Sequence, residues 1–190
     1  MKKERRISIR LWVFMGIVLI AVNSCKKDNS TILSVGDSYQ GGKVAYLLVN
    51  GNSGYDANVQ HGLIASLADQ STGIMWWNGA SSITGATATA YGTGNANTNT
   101  IVASQGAGNY AAKLCSDLVS GGYGDWYLPS KDELFILYTN RILIGKFESS
   151  SYWCSREVST GTAFLYSFSI NLQGSGGKGF LGNVRAVRAF

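Results

Sequence analysis

Few side chains in this sequence have the types and spacing that chemistry demands. There is one histidine, His61, and a Ser or Cys nucleophile needs a base held beside it. Nothing around His61 marks it as that base, and it opens a run, "HGLIASLAD", that reads as a strand. One histidine with Cys115 and Cys154 far apart in the chain lacks the ligand spacing of a zinc site. The stretch "GGYGDWYLPSKDEL", residues 121–134, concentrates three acids around the only proline. Its "SKDEL" end is better explained as the start of a helix. Ser130 stands where an N-cap belongs, Glu133 follows three residues on to complete a capping box, and Asp132 puts negative charge in the first turn. "GSGGKG", residues 174–179, matches G-x-G-x-x-G, but a dinucleotide fingerprint follows a strand and opens a helix. Here the sequel is the strand-like "NVRAVRAF", so a hairpin loop is expected. "WWNG", residues 76–79, has the Asn but not the Asp of the Trp-Asn-Asp run of calcium-dependent lectins, which leaves calcium unsupported. No catalytic residue, metal or cofactor is expected.

Aromatic residues are the remaining signal. Trp76, Trp77, Trp126 and Trp153 come with Tyr123, Tyr127 and Tyr152, mostly as adjacent pairs. In an extended segment neighbouring side chains point to opposite faces, so one of each pair suits the core and the other can be exposed. An exposed indole offers a flat face on which a sugar ring can stack. The competing use is core filling, since one aromatic buries roughly 150–250 Å². Trp77 and Asn78 are the foremost candidates for ligand contact, with Trp126 and Trp153 behind them.

The elements that position these residues begin after an N-terminal leader. "MKKERRISIR" is a basic segment and residues 11–22 are uninterruptedly apolar, too short for a membrane span and right for a signal sequence. "VNSC", residues 22–25, resembles a bacterial lipobox, so residues 1–24 are expected to be removed and Cys25 lipidated. Residues 25–36 then form a flexible tether, and residues 37–190 one domain. The leader holds five of the 16 basic residues and one of the 11 acids, so the mature chain has 11 basic and 10 acidic residues. A net charge of +1 gives no basic stripe for nucleic acid. The implied location is the cell envelope, as a lipid-anchored protein of the outer membrane, facing the periplasm or the surface. In an oxidising compartment Cys115 and Cys154 can pair as a disulfide; the alternative is two buried thiols.

Within the domain, "YQGGKVAYLLVN" and "HGLIASLAD" read as a hairpin. Residues 81–105, almost wholly Gly, Ala, Ser, Thr and Asn, read as irregular structure. Tyr110, Leu114 and Leu118 recur at helical spacing, and Gly121 and Gly122 are expected to end that helix. A second helix runs from Ser130 to about residue 144. "SSYWCSRE", "TAFLYSFSI" and "VRAVRAF" alternate like half-buried strands, which makes the whole an α+β domain.

The motifs "GGKVAYLLVN…QHGLIASLADQ", "NYAAKLCSDLVSGGYGDWYLPSKDEL", "YWCSRE" and "VRAVRAF" resemble the family named after the C-terminal domain of the Legionella collagen-like adhesin. The resemblance covers about residues 37–190. It implies a C-type-lectin-like fold, with two helices, small antiparallel sheets and a long irregular loop region that presents ligand. It also implies a non-enzymatic adhesion or binding module for glycans, glycosaminoglycans among them, or for surface proteins. Two rivals stand beside that reading: an envelope assembly component that binds only protein, and a lectin-like display protein whose C-terminal strands and loops vary.

Overall fold

The computed structural model describes residues 32–190. The leader, Cys25 and the tether up to residue 31 lie outside the described residues. Residues 32–36, assigned from sequence to the tether, are bonded to the domain: Leu33 exchanges two hydrogen bonds with the Gln60 side chain, at 2.7 and 3.1 Å, and the Gly36 N–H donates to the Val44 carbonyl at 2.8 Å. The compact unit accordingly runs from Ile32 to Phe190.

The fold is α+β. In chain order it has β1 (Ser38–Tyr39), β2 (Gly42–Leu47), β3 (Gly62–Ser66), β4 (Ser71–Ile74), α1 (Gly94–Gln105), α2 (Ala111–Ser116), α3 (Lys131–Thr139), α4 (Arg141–Ile144), β5 (Ser151–Glu157), β6 (Thr162–Ser167), β7 (Leu172–Gly177), β8 (Gly182–Val184) and β9 (Val187–Ala189). One sheet has the order β1-β2-β3-β9 and the other β4-β8-β5-β6-β7. β2 and β3 form the expected antiparallel hairpin, with Val44 opposite Ile64 and a bulge between Val44 and Tyr46. The C-terminal strand returns to its side, Leu63 opposite Ala189.

Strand alternation divides the interior in two. Ile64, Trp126, Leu128, Trp153 and Ala186 belong to one apolar cluster, while their neighbours Leu63, Ala65, Tyr127, Tyr152, Cys154 and Val187 belong to the other. Each strand therefore sends successive side chains into different cores. The first cluster is roofed by α1 and α2, which supply Ile101, Ala111 and Cys115. The second is roofed by α3, which supplies Leu134 and Leu137.

The capping box at α3 is present as the sequence predicts. The Glu133 N–H donates to Ser130 Oγ at 3.2 Å, and the Ser130 N–H to Glu133 Oε2 at 2.7 Å. Glu133 is also fully buried and receives the Gly92 N–H at 2.9 Å and the Tyr127 hydroxyl at 3.2 Å. Burial pushes its carboxyl above the ordinary range, and these hydrogen bonds only partly offset that. Another acid of the same stretch, Asp125, receives both ends of the Arg188 guanidinium at 2.7 and 2.8 Å. The acids around Pro129 thus latch the C-terminal strand and start a helix.

Four local expectations are corrected. The polar stretch 81–105 contains α1. Among its buried residues are Asn97 and Thr98, held by hydrogen bonds to the Ala88 carbonyl and the Leu128 N–H, so no apolar stripe announces the helix. The helix after Tyr110 stops at Ser116, short of Gly121 and Gly122. Those glycines instead make a tight turn closed by Ser120 and Tyr123. Gly121, at φ 62°, presses on Gly41, so that a Cβ on it would lie 2.3 Å from the Gly41 Cα. The helix expected to reach residue 144 breaks at Asn140, whose side chain turns to the Ala45 carbonyl at 3.0 Å. The glycine run at residues 174–177 is not a loop: it lies in the edge strand β7, with Gly174 opposite Leu165 and Gly176 opposite Ala163.

Candidate functional site

The candidate site forms where the segment after β4 meets the turn between β7 and β8. The Trp76 N–H donates to the Lys178 carbonyl at 2.9 Å, which ties the Trp76–Trp77 pair to that turn. Trp76 points inward and is fully buried, its indole N–H bonded to the Cys154 carbonyl at 2.9 Å. Trp77 is half-buried and packs against the same core cluster that holds Trp76. The indoles of Trp76, Trp126 and Trp153 each donate to a backbone carbonyl, at 2.9–3.0 Å. Among the described residues, the Trp77 indole N–H has no acceptor. Gly179 lies against the Trp77 indole nitrogen without a side chain to cover it, and farther along the same turn Phe180, edge-on to Trp153, and Leu181 are exposed.

Lys178 supports this surface from beneath. Its side chain is fully buried, with Nζ 2.5 Å from Glu157 Oε1 and 3.0 Å from the Ser82 carbonyl. The same ammonium lies 4.9 Å from the Trp76 ring centre and 5.9 Å from that of Trp77. Glu157 also accepts the backbone N–H groups of Thr84 and Gly85 at 2.9–3.0 Å. Burial alone would raise its carboxyl, but Lys178 and these backbone donors outweigh burial and hold it below the ordinary range. One buried ion pair thus fastens the loop at residues 82–85 to the turn beyond β7. Exposed Ile83 rides on that loop.

Asn78 anchors the chain just after Trp77, and its amide has a second N–H beyond the bonds it makes there. Its Oδ1 accepts the Ala80 N–H at 2.9 Å, its backbone N–H donates to Gln105 Oε1 at 3.1 Å, and its Nδ2 donates to the Gln105 carbonyl. The Gln105 Nε2 is buried and has no partner among the described residues. Trp126 and Trp153, both candidates from sequence, are corrected to core residues at 2% and 0% exposure. Trp153 sits on a strand in the middle of a sheet covered on both faces, so neither member of the Tyr152–Trp153 pair reaches solvent. Nothing local marked Lys178, Glu157 or Gln105 in the sequence: glycines surround Lys178, and Gln105 closes a stretch without periodicity.

The remaining reactive groups are engaged or enclosed. One ring nitrogen of His61 is 3.1 Å from the Phe190 carbonyl. Cys115 and Cys154 are free, fully buried thiols in different core clusters, so of the two alternatives the thiol form is the one observed. Burial raises both thiols, that of Cys154 to about 12. Among the described residues no group of three or more His, Cys, Asp or Glu side chains is placed to hold a metal ion, and no helix is long and apolar enough to cross a membrane.

Neither family models nor curated proteins provide a match to this chain.

Proposed function

We propose that this protein is a non-enzymatic binding module of the bacterial cell envelope. It is anchored through lipid on Cys25 and holds its ligand, a glycan or a surface protein, on the Trp77 face of a C-type-lectin-like scaffold. The observation that carries this reading is the Trp77 indole: partly exposed, held from below by Lys178, left bare on the side of Gly179, and with an N–H that has no acceptor among the described residues. Such a ring gives a flat apolar face for the C–H groups of a sugar and a donor for one of its hydroxyls. The irregular segment at residues 75–93, beside two small sheets, accords with the loop region that the family resemblance implies. The engaged His61 and the buried thiols favour binding over turnover.

The test uses the unit 32–190, whose sheets and core clusters are built from its own residues, on a glycan and glycosaminoglycan array with and without calcium. Saturable binding that Trp77→Ala abolishes, while the fold is kept, supports the reading. Binding indifferent to Trp77→Ala would move the site elsewhere. A folded but silent domain would favour the protein-only assembly role, which a pull-down from envelope extracts would then identify.

A further inference from the structure

The two most exposed large apolar side chains of the described chain are Ile142, at 82%, and Ile32, at 80%. Ile142 and the exposed Leu143 stand on α4, a single helical turn that buries only Ile144. Ile32 is the first described residue, and four positions on, Gly36 packs directly on Leu143. The point where the chain enters the domain and this apolar turn therefore belong to one corner. Two cations flank it. The Arg141 guanidinium is stacked 4.0 Å from the Tyr138 ring centre and bonded to the Tyr138 carbonyl, and Lys146 is exposed. Neither has a carboxylate partner among the described residues. Between them opens a cavity lined by Arg141, Gly145, Lys146, Phe147, Glu148 and Phe168. Glu148 is its one acid, leaving the rim with a positive balance.

We infer that this corner seats on the lipid bilayer that holds the Cys25 anchor. The inference rests on the lipid anchor of the proposed function. Only residues 26–31 separate Cys25 from Ile32, and at full extension that link reaches roughly 25 Å. The entry corner cannot stand farther than that from the anchored cysteine. Two branched apolar side chains beside two cations suit the boundary between acyl chains and phosphate headgroups, with Lys146 free to extend its ammonium to the phosphates. A patch this small would not recruit a free protein. A covalent link keeps it at high effective concentration over the membrane, so a weak contact suffices. Docking would turn the domain from a loosely tethered body into one held at a fixed tilt.

The experiment uses the full chain, acylated in a bacterial host, checked by intact mass and reconstituted in vesicles of phosphatidylethanolamine and phosphatidylglycerol. A polarity-sensitive fluorophore is attached through Ile142→Cys, and in a second protein through Ile170→Cys, an exposed control on the β6–β7 turn. The two native thiols of the domain are buried and will not compete for label. The expected result is a blue-shifted emission at position 142, quenched several-fold more strongly by spin-labelled lipid than emission at position 170. Lys146→Glu should reduce that difference. Leu143→Cys serves as a second probe should Ile142→Cys fail to fold. Equal, unquenched emission at both positions in an acylated protein would overturn the docking and leave the anchor standing. A chain that carries no acyl group in the same host would remove the anchor, and the docking with it.

Discussion

A Cβ placed on Gly94 would stand 2.3 Å from Glu133 Oε2 and 2.7 Å from the Ser130 backbone nitrogen. The first residue of α1 thus rests on the capping box that starts α3, and two helices distant in sequence share one buried carboxylate. Glu133 cannot swing aside, because Gly92, Tyr127 and Ser130 all bond to it.

Gly94→Ala is therefore expected to destabilise the domain, although alanine favours a helix by about 1 kcal/mol over glycine. The overpacking should outweigh that gain and leave a net loss of about 1–3 kcal/mol, measured by urea denaturation. An unchanged or higher midpoint would show that the two helix starts are not in contact.

The two buried glutamates should pull stability in opposite directions with pH. Glu157 has a lowered carboxyl, so its contribution is complete above the ordinary value of 4.5 and is lost as pH falls through its folded value. Glu133 has a raised carboxyl, so its ionisation costs stability as pH rises from 4.5 through its folded value. Denaturation curves across the acid range should show Glu157→Gln flattening the loss on the acid side. Glu133→Gln should flatten the change above it. Parallel shifts of the whole curve in both variants would contradict the assignment.

Lys178→Met tests the support beneath Trp77. Removing one partner leaves Glu157 buried without its cation, and the expected loss is about 3–5 kcal/mol. The double variant Lys178→Met with Glu157→Leu should recover part of it. A single variant as stable as the parent would mean that water reaches the pair.

The thiols give a further, independent check. Intact mass without reductant should correspond to two free thiols at Cys115 and Cys154, and neither should react with a maleimide until the protein is unfolded. A mass short by two hydrogens would show a disulfide instead.

The four described tryptophans should separate into two kinds. Trp153→Ala removes a fully buried ring and is expected to cost about 3–5 kcal/mol. Trp77→Ala should leave the melting midpoint within a few degrees while abolishing ligand binding. A large loss of stability from Trp77→Ala would make that residue another core aromatic.

What the sequence disclosed follows the range of the forces involved. The capping box at Ser130 and Glu133 was legible because neighbours three residues apart set it, and the strands of the first hairpin and of Tyr152 because each carries its own run of strand-favouring residues. Helix α1 was not, since Asn97 and Thr98 are buried by hydrogen bonds to loops far along the chain. Nor was β7, whose glycines are extended only because β6 lies beside them. Adjacent aromatics implied opposite faces, which holds for Tyr152 and Trp153, one in each core cluster. Neither is exposed, because both faces of that sheet are covered, and Trp76 and Trp77 pack on one and the same cluster. The Lys178–Glu157 pair joins residues 21 apart, and nothing local to either one announces the other.

The pairing of β9 with β3 has a consequence for the order of events in the life of the chain. Val187 also bridges to Tyr127, and the Gly62 and Phe190 backbones bond to each other in both directions at 3.2 Å. The first hairpin therefore stays open along the Leu63–Ile64 edge until residues 187–190, far along the chain, have been made. The fold closes late, on a strand distant in sequence from its partner. Until then the polypeptide stays threadable, the state that the proposed export requires.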